Sequence, residues 1–437
     1  MSSLPFEKPV DPLDLQQLTL ETKKATHFFE ALKKEKGQKK ILDSSHRTAT
    51  SGETLSRINP RIRKLAGITR IADVTGLDIL GIPNYIAVRP SAFFSTPLEG
   101  GRVSIFNGKG FTKQQAKASA LMEAIERYCG EPFERSPLIA TYREMKRRMT
   151  TINPNSLLFH QKTDLIFEKA PIEWRVGVDL FTRKPAAVQA LNVFAPYVAP
   201  RGTAIVNPNF STTGLASGNS LVEATVHALL EVIERHGTSP CQKAIDRFEI
   251  PLESIQSPLI HRLIGKLKRH RVKIRLLYYE TGLGFTVCRA LIDDPITHDP
   301  HLLCYGSGCH LSKEVAIIRA ITEAVQSRVT IIAGTREDLL WSEESRTRLG
   351  AYETLSKRFW EYYETKDKVS YQDLPHTIHR SFHEDLSLIQ KKFEKKGLKQ
   401  TIIVDLTNPD LKIPVVRVVV PDLPIYDQGH STNPKDL

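Results

Sequence analysis

Residues 214–235 are the stretch on which the fold depends: Gly-Leu-Ala-Ser-Gly-Asn-Ser-Leu-Val-Glu-Ala-Thr-Val-His-Ala-Leu-Leu-Glu-Val-Ile-Glu-Arg. A turn with glycine and serine leads into a segment without proline or glycine, which predicts a long helix. At about 100° per residue, the polar side chains of this stretch fall within an arc of about 120°. They are Asn219, Glu223, His227, Glu231 and Glu234. Apolar residues fill most of the remainder, so we expect a largely buried helix. Carboxylates on a buried helix are costly unless a cation meets them, and the pattern therefore predicts a cation site.

The same helix pattern occurs three times in the chain. Ala120-Leu-Met-Glu-Ala-Ile-Glu-Arg127 and Ala228-Leu-Leu-Glu-Val-Ile-Glu-Arg235 are nearly the same octet, and Ala320-Ile-Thr-Glu-Ala-Val-Gln326 is a weaker copy. Each copy has glycines shortly upstream, and the intervals between copies are too long and uneven for a solenoid. We therefore expect one glycine-loop and helix unit, used three times around a shared site.

Two interpretations of these carboxylates are open. A Glu-x-x-Glu-Arg run is most often a solvated helix face, with ion pairs worth about 0.2–0.5 kcal/mol each. Three copies in one register, each among apolar residues, favour a binding site instead. Carboxylate and amide oxygens suit Mg²⁺, which usually keeps part of its shell for substrate phosphates. The pattern predicts a site for Mg²⁺ and a nucleotide.

Composition narrows the class of protein. The chain has 437 residues, of which 41% are hydrophobic, so it can form a sizeable core. Its net charge of +12 suggests an anionic partner, but the basic residues are dispersed and no nucleic-acid-binding motif is present. No apolar run has membrane-spanning length, and the N-terminus does not resemble a signal peptide. Five cysteines without a Cys-x-x-Cys pair indicate buried free thiols. We predict a cytoplasmic protein with neither a nucleic-acid nor a membrane partner.

The chain is expected to divide at about residue 60. Residues 1–60 are charged and predict a peripheral, partly disordered extension, with an amphipathic piece at 20–32 and a polar stretch at 43–56. Residues 61–437 predict one α+β domain, with a motif-bearing core at 62–335 and further helices and strands at 336–437. Helices are expected at 260–268, 313–332, 342–363 and 378–396. Strands are expected at 68–74, 84–88, 102–106, 272–279, 285–292, 401–405 and 415–420.

The motifs taken together resemble those of the YcaO family, whereas phosphate loops and dinucleotide fingerprints are absent. The resemblance is carried by Gly67-Ile-Thr-Arg-Ile-Ala-Asp-Val-Thr-Gly-Leu-Asp78, Gly81-Ile-Pro83, Ala87-Val-Arg-Pro90, Gly108-Lys-Gly110, Ser119-Ala-Leu-Met-Glu-Ala-Ile-Glu-Arg127, Asn219-Ser-Leu-Val-Glu223, Glu231-Val-Ile-Glu-Arg235 and Glu323-Ala-Val-Gln326. It implies a YcaO-type fold, with mixed sheets packed against long helices.

The resemblance also implies an activity and a set of site residues. The activity is ATP-dependent activation of a peptide backbone amide, in which the amide oxygen is phosphorylated after a nucleophile adds. Sulfide as the nucleophile gives a thioamide, and a neighbouring Cys, Ser or Thr side chain gives an azoline. The implied Mg²⁺ ligands are Glu123, Glu126, Glu231 and Glu234. The implied ATP-binding residues are Lys109, Ser119, Arg127, Asn219, Glu223, Arg235, Glu323 and Gln326.

The C-terminal sequence bears on the product. Azoline-forming members characteristically end in Pro-x-Pro-x-Pro, whereas this chain ends Gly429-His-Ser-Thr-Asn-Pro-Lys-Asp-Leu437. Residues 416–423, Val-Arg-Val-Val-Val-Pro-Asp-Leu, look more like members that work beside a TfuA-type partner in thioamidation. We therefore expect thioamide formation, a separate TfuA-like or leader-peptide-binding partner, and a homodimer. The alternatives are an azoline-forming cyclodehydratase, an accessory to ribosomal-protein methylthiolation, and a nucleotide-binding scaffold that activates a partner without ATP turnover.

Overall fold

The computed structural model of the chain describes residues 13–42, 44–90, 103–132, 136–157, 168–200, 202–204, 211–239, 245–334 and 352–423. Within these ranges, ten α-helices accompany mixed β-sheets, which confirms the predicted α+β class. None of the helices in the described ranges combines the length and the apolar character that a bilayer span requires. Most predicted elements occur within a few residues of their expected bounds.

The elements are numbered here in chain order. The helices are α1 (Leu15–Lys34), α2 (Ser51–Arg57), α3 (Pro60–Leu65), α4 (Lys113–Gly130), α5 (Tyr142–Arg148), α6 (Leu221–Thr238), α7 (Pro258–Arg269), α8 (Lys313–Ala333), α9 (Tyr352–Tyr362) and α10 (Phe382–Lys396). The strands are β1 (Lys40–Leu42), β2 (Ser45–Arg47), β3 (Arg70–Asp73), β4 (Asn84–Pro90), β5 (Val103–Lys109), β6 (Leu138–Ala140), β7 (Thr150–Thr151), β8 (Ile172–Asp179), β9 (Pro185–Gln189), β10 (Leu215–Ser217), β11 (Asp246–Glu249), β12 (Lys273–Glu280), β13 (Thr286–Asp293), β14 (Cys304–His310), β15 (Ile402–Asp405) and β16 (Val415–Val419).

The chain divides into two compact units, and neither begins at residue 61. Unit 1 comprises residues 1–37, 126–232 and 381–429. Its described strands form one sheet in the order β10-β16-β15-β8-β9-β7, with β6 also paired to β8. Helix α1 belongs to this unit and buries Phe28, Phe29 and Leu32. An ion pair of 3.3 Å between Glu21 and Arg175 joins α1 to β8.

Unit 2 comprises residues 38–125, 233–380 and 430–437. It contains an antiparallel sheet in the order β11-β12-β13-β14, a second sheet β3-β4-β5, and the β1–β2 hairpin. Side chains of β12 and β13, including Leu276 and Cys288, form one core with Leu263 of α7 and with Ile317 and Ile321 of α8. The C-terminal part of α6 lies against the other face of this sheet, because a Cβ on Gly237 would meet Val287 at 3.1 Å.

The three sequence repeats are strand–turn–helix units: β5 with α4, β10 with α6, and β14 with α8. The glycines expected in flexible loops lie largely in the strands or at their ends. An added Cβ at Gly108 would lie 2.1 Å from Ala116 O, and one at Gly308 would lie 2.2 Å from Ala316 O, at the same sequence spacing. These glycines therefore allow each strand to lie directly against the backbone of the helix that follows it.

The N-terminal segment is more ordered than its composition predicts. Residues expected to be disordered form β2 and α2, and the first turn of α2 is stabilised by a capping box between Thr50 and Glu53. Both carboxylate oxygens of Glu35 accept 3.0 Å hydrogen bonds, one from Leu221 N and one from Val222 N. Glu35 therefore satisfies two orphan donors of the central helix α6, a contact that the prediction of a peripheral segment did not include.

We expect Gly308→Ala to destabilise the protein by about 3 kcal/mol, because the new Cβ has no room beside the backbone of α8. Gly265→Ala is the matched control, since this α7 glycine has no neighbouring atom within 4 Å of an added Cβ. The control should stabilise the protein by about 0.5–1 kcal/mol. Denaturant unfolding measures both, and equal effects of the two substitutions would contradict the packing role of Gly308.

We expect Glu35→Ala to destabilise the protein by about 1–2 kcal/mol, because Leu221 N and Val222 N in the first turn of α6 lose their side-chain acceptor. Hydrogen exchange at Leu221 and Val222 should accelerate together with this loss. Glu30→Ala is the control, because Glu30 is exposed on α1 and pairs with Lys33 on the same helix. Unchanged exchange at Leu221 in Glu35→Ala would show that the cap is not needed.

Candidate functional site

Unit 1 contains the carboxylates of Glu223 and Glu231 on α6 and of Glu126 near the end of α4. Glu126 Oε2 accepts hydrogen bonds from Ser217 N at 2.9 Å and Ser217 Oγ at 3.2 Å. Glu231 Oε2 accepts from Gly214 N at 3.1 Å. Asn219 Nδ2 donates to Glu223 Oε1 at 3.2 Å. The strand β10 and its flanking turns therefore orient both Glu126 and Glu231.

Unit 2 brings together the end of α6, the middle of α8 and the end of β5. Lys109 Nζ forms an ion pair with Glu323 Oε2, and these side chains remain 18% and 23% exposed. Glu323 Oε1 accepts from Ser307 N at 3.3 Å. Glu234 is only 3% exposed, and its Oε2 accepts from Cys309 N at 2.9 Å. Three charged residues far apart in sequence, Lys109, Glu234 and Glu323, thus form one cluster of opposite charges.

The two carboxyl groups of this cluster have pKa values that are shifted in opposite directions. Burial, and then the charge of Glu323, raise the pKa of Glu234 above its ordinary value. Burial would also raise the pKa of Glu323, but the charge of Lys109, followed by that of Arg235, outweighs it and lowers that pKa. Glu323 is therefore the ionised partner of Lys109, whereas Glu234 gains its charge readily only when a further cation approaches.

Equivalent contacts relate the repeats to one another. Glu126 and Glu234 occupy the same position in α4 and α6, and Ser217 and Cys309 the same position in β10 and β14. Each carboxylate accepts from the backbone N–H of the strand in the following copy. Gln326, the equivalent residue of α8, instead donates through its amide to a backbone carbonyl of β5 at 2.6 Å. The interpretation of the three copies as one repeated unit is consistent with these contacts.

Arg319 is a residue of the cluster that the sequence analysis did not single out. It lies one helical turn before Glu323 on α8, and its Cβ would be 2.9 Å from a Cβ added to Gly308. Its charge lowers the pKa of Glu323, after the larger effects of burial, Lys109 and Arg235. The alignment of the three repeats could have indicated Arg319, because it is the counterpart of Ser119 in α4 and of His227 in α6.

The structure places the remaining predicted residues on the repeat helices. Ser119, Glu123, Arg127 and Arg235 are all half-buried. Of the predicted set, unit 2 brings together Lys109, Glu234, Arg235 and Glu323, and that is the part of the site that this structure describes directly. That all three helices line one pocket stays a prediction, as do the individual roles of these residues.

The cysteines agree with the sequence analysis where they are described. Cys129, Cys288, Cys304 and Cys309 are buried free thiols, and Cys241 lies outside the described residues. Burial raises the pKa of the Cys288 thiol well above its ordinary value, and the same is true of Cys309. A thiol held in its neutral form is a poor nucleophile and a poor metal ligand.

The cluster in unit 2 fits a magnesium–nucleotide complex better than a metal ion alone. Among the described residues, no group of three His, Cys, Asp or Glu side chains is arranged to hold a metal ion by itself. Mg²⁺ commonly takes one or two protein carboxylates and completes its shell with water and substrate phosphates. Lys109, Arg235 and Arg319 supply the cationic groups that phosphates require, beside the carboxyl groups of Glu234 and Glu323.

Comparison with known proteins agrees with this chemistry. The family described as YcaO cyclodehydratase, ATP- and Mg²⁺-binding, matches residues 107–424. The prediction of ATP and Mg²⁺ as the cofactors of this family is therefore confirmed. A protein of Methanothermobacter thermautotrophicus is 38% identical over 377 residues, which covers 86% of this chain and 94% of that protein.

A second relative is a protein encoded in the tfuA 3′ region of Rhizobium leguminosarum bv. trifolii. It is 30% identical over 402 residues, which covers 89% of this chain and 91% of that protein.

Two solved structures have the same fold. The YcaO protein of Methanopyrus kandleri, bound with AMPPCP and Mg²⁺, aligns with a TM-score of 0.68 and 27% identity, over 88% of this chain and 94% of its own. A heterocyclase in complex with substrate and cofactor aligns with a TM-score of 0.74 over 92% of this chain and 55% of its own. Its identity of 23% supports the fold alone. The chain is a member of the YcaO family of ATP- and Mg²⁺-binding proteins.

Proposed function

We propose that this protein uses Mg²⁺ and ATP to activate a backbone amide of a peptide or protein, and that the product is a thioamide. The observation that carries the proposal is the cluster of Lys109, Glu234 and Glu323, in which a buried carboxyl group lies beside an ionised one and a lysine. ATP, when bound with Mg²⁺, supplies the phosphoryl group that converts the amide oxygen into a leaving group.

Each part of the cluster has a physical task in this proposal. Lys109 and Arg235 neutralise phosphate oxygens, and Arg319 adds a third cation that the sequence motifs did not include. Glu234 is buried and easily neutralised, so it is suited to hold a metal that restores its charge. Ser307 N and Cys309 N orient Glu323 and Glu234 before any ligand arrives.

The complete set of proposed contacts follows the family motifs. Mg²⁺ is held by Glu123, Glu126, Glu231 and Glu234, and ATP is contacted by Lys109, Ser119, Arg127, Asn219, Glu223, Arg235, Glu323 and Gln326. Backbone N–H groups already hold Glu126, Glu231 and Glu234 in fixed orientations. Such pre-orientation lowers the cost of assembling a phosphoryl-transfer site.

The choice of thioamide as the product is supported by the relative encoded in the tfuA 3′ region. On this basis we propose a TfuA-like or leader-peptide-binding partner. The further expectations of a cytoplasmic location and a homodimeric enzyme stay proposals. The alternative is an azoline-forming cyclodehydratase, which is supported by the description of the family as a cyclodehydratase. An accessory role in ribosomal-protein methylthiolation is a further variant of the same amide chemistry.

We expect tight ATP binding only with Mg²⁺, because without the metal the ionised Glu323 repels the triphosphate and the buried carboxyl group of Glu234, whose pKa is raised, gains no cation to bind. Isothermal titration calorimetry with Mg²⁺ and with EDTA compares the two conditions. Glu234→Gln keeps the shape and the hydrogen-bond capacity of the side chain and removes its charge, so it should weaken Mg²⁺-dependent binding by at least about tenfold. Glu394→Gln, on the exposed face of α10, is the control. Equal ATP affinity in EDTA and in Mg²⁺ would show that this cluster is not a Mg²⁺–ATP site.

We expect peptides in which sulfur replaces oxygen in a backbone amide when the protein acts with sulfide and a TfuA-type partner. Mass spectrometry compares the proteome of a strain lacking the gene with strains complemented by the wild type or by Glu234→Gln. The sulfur-for-oxygen mass gain should appear in the wild-type strain only. Loss of one water at a Cys, Ser or Thr, without a need for sulfide, would establish the cyclodehydratase alternative instead.

A further inference from the structure

Arg289 is a buried cation that the proposed chemistry does not use. It lies on β13, is 9% exposed, and faces the rings of Tyr279, Tyr305 and Tyr363 at 5.6, 4.6 and 5.7 Å from the ring centres. Within the described ranges, no carboxylate forms an ion pair with it. A guanidinium stays protonated in proteins, and burying its charge costs several kcal/mol unless other groups compensate.

Aromatic rings and hydrogen bonds supply the compensation. Arg289 donates to Ser307 Oγ at 3.3 Å, to the hydroxyl of Tyr363 at 3.2 Å and to Thr238 O at 3.2 Å. Burial raises the pKa of Tyr363, so this phenol is neutral and is not a counter-anion. Thr238 is the last residue of α6, and its carbonyl lies at the negative end of the helix.

Two of these three contacts connect Arg289 to candidate-site residues, one to the backbone of Glu234 and one to the carboxylate of Glu323. Thr238 also donates through its hydroxyl to Glu234 O at 2.8 Å, which ties the backbone of Glu234 to the end of α6. Ser307 also donates through its backbone N–H to Glu323 Oε1 at 3.3 Å. One guanidinium therefore contacts Ser307, whose N–H bonds the carboxylate of Glu323, and Thr238, whose hydroxyl bonds the backbone carbonyl of Glu234.

The separation of these two carboxylates is energetically important. The charge of Glu323 raises the pKa of Glu234, the charges of Lys109 and Arg235 act on both groups, and such interactions vary inversely with distance. Glu234 is on α6 and Glu323 on α8, which lie against opposite faces of the sheet that carries Arg289. A residue in that sheet can therefore hold α6 and α8 at fixed positions relative to each other.

We propose that Arg289 is a positioning residue that sets the separation of Glu234 and Glu323, and through it the geometry in which Mg²⁺ and the ATP phosphates are held. This inference rests on the proposed function. The simpler alternative is that Arg289 caps α6 and contributes only to stability. In the positioning role, the effect of Arg289 on ligand binding requires the carboxylate of Glu323. In the capping role, it does not.

A double-mutant cycle with Mg²⁺ and AMPPCP as the probe separates them. Arg289→Met should weaken Mg²⁺-dependent AMPPCP binding by about tenfold in the wild-type background. In the Glu323→Gln background the same substitution should change binding by less than about twofold, because the carboxylate that it positions is already altered. An equal fold-loss in both backgrounds would overturn the proposal.

Two further variants distinguish a specific effect on AMPPCP binding from a general loss of stability. Arg275→Met is the matched control, since Arg275 also lies over an aromatic ring, that of Trp360 at 5.0 Å, and contacts neither Thr238 nor Ser307. It should change the melting temperature without changing AMPPCP affinity. Ser307→Ala removes only the hydroxyl acceptor, so it should fold and weaken binding in the same direction, with no added loss on Arg289→Met.

The outcomes distinguish this inference from the proposed function. Wild-type protein that binds no Mg²⁺–AMPPCP would overturn both. Wild-type binding that is lost in Glu234→Gln, but is unaffected by Ser307→Ala and is reduced equally by Arg289→Met in both backgrounds, would overturn the role of Arg289 alone. If Arg289→Met does not fold, Arg289→Lys takes its place in the cycle, because lysine keeps the charge but lacks the planar guanidinium fork that reaches Ser307 and Thr238.

Discussion

The buried carboxyl group of Glu234 is the constraint on which the arrangement of unit 2 depends. A group that is 3% exposed and faces a second carboxylate must either stay protonated or be offset by cations. Lys109 and Arg235 offset the pair from β5 and α6, and the N–H of Cys309 satisfies one oxygen of Glu234. Maintaining such a group is costly for stability, and that cost is typical of sites that bind a metal or move a phosphoryl group. The cations that stabilise the ionised carboxyl groups lie on three separate elements: Lys109 on β5, Arg235 on α6 and Arg319 on α8.

Direct contact between strand and helix backbones makes this arrangement of buried carboxyl groups possible. Gly108 and Gly308 remove the Cβ atoms that would otherwise keep β5 and β14 away from α4 and α8. The strands can then present backbone N–H groups to the carboxylates, as Ser307 does to Glu323. A backbone donor held in a sheet is less mobile than a side-chain donor, so the orientation of each carboxylate is set by the sheet.

The N-terminal segment illustrates the limit of composition as a guide. Residues 44–57 are polar and rich in small side chains, which is typical of disordered segments, but the capping box of α2 supplies local order. Glu35 reaches the first turn of α6 across a large sequence separation, and no local pattern could have indicated that contact. The edge-to-face contact of 5.0 Å between His46 and His310 is of the same kind. Burial of this pair lowers the pKa of His46 to about 4, so both the contact and its chemistry follow from the tertiary structure.

The sequence by itself determined the three repeated helices, seven of the sixteen described strands and the residue types of the site, because helical periodicity and repeat register are local properties of the chain. It indicated Glu234, Glu323 and Lys109 as functional residues through family motifs, and a stricter use of the register would have added Arg319. Only the tertiary structure decided that Lys109 pairs with Glu323, that Glu234 is the group with the raised pKa, and that Arg289 contacts both Ser307 and Thr238. These properties depend on distance and desolvation between residues far apart in the chain, and a one-dimensional pattern does not contain either quantity.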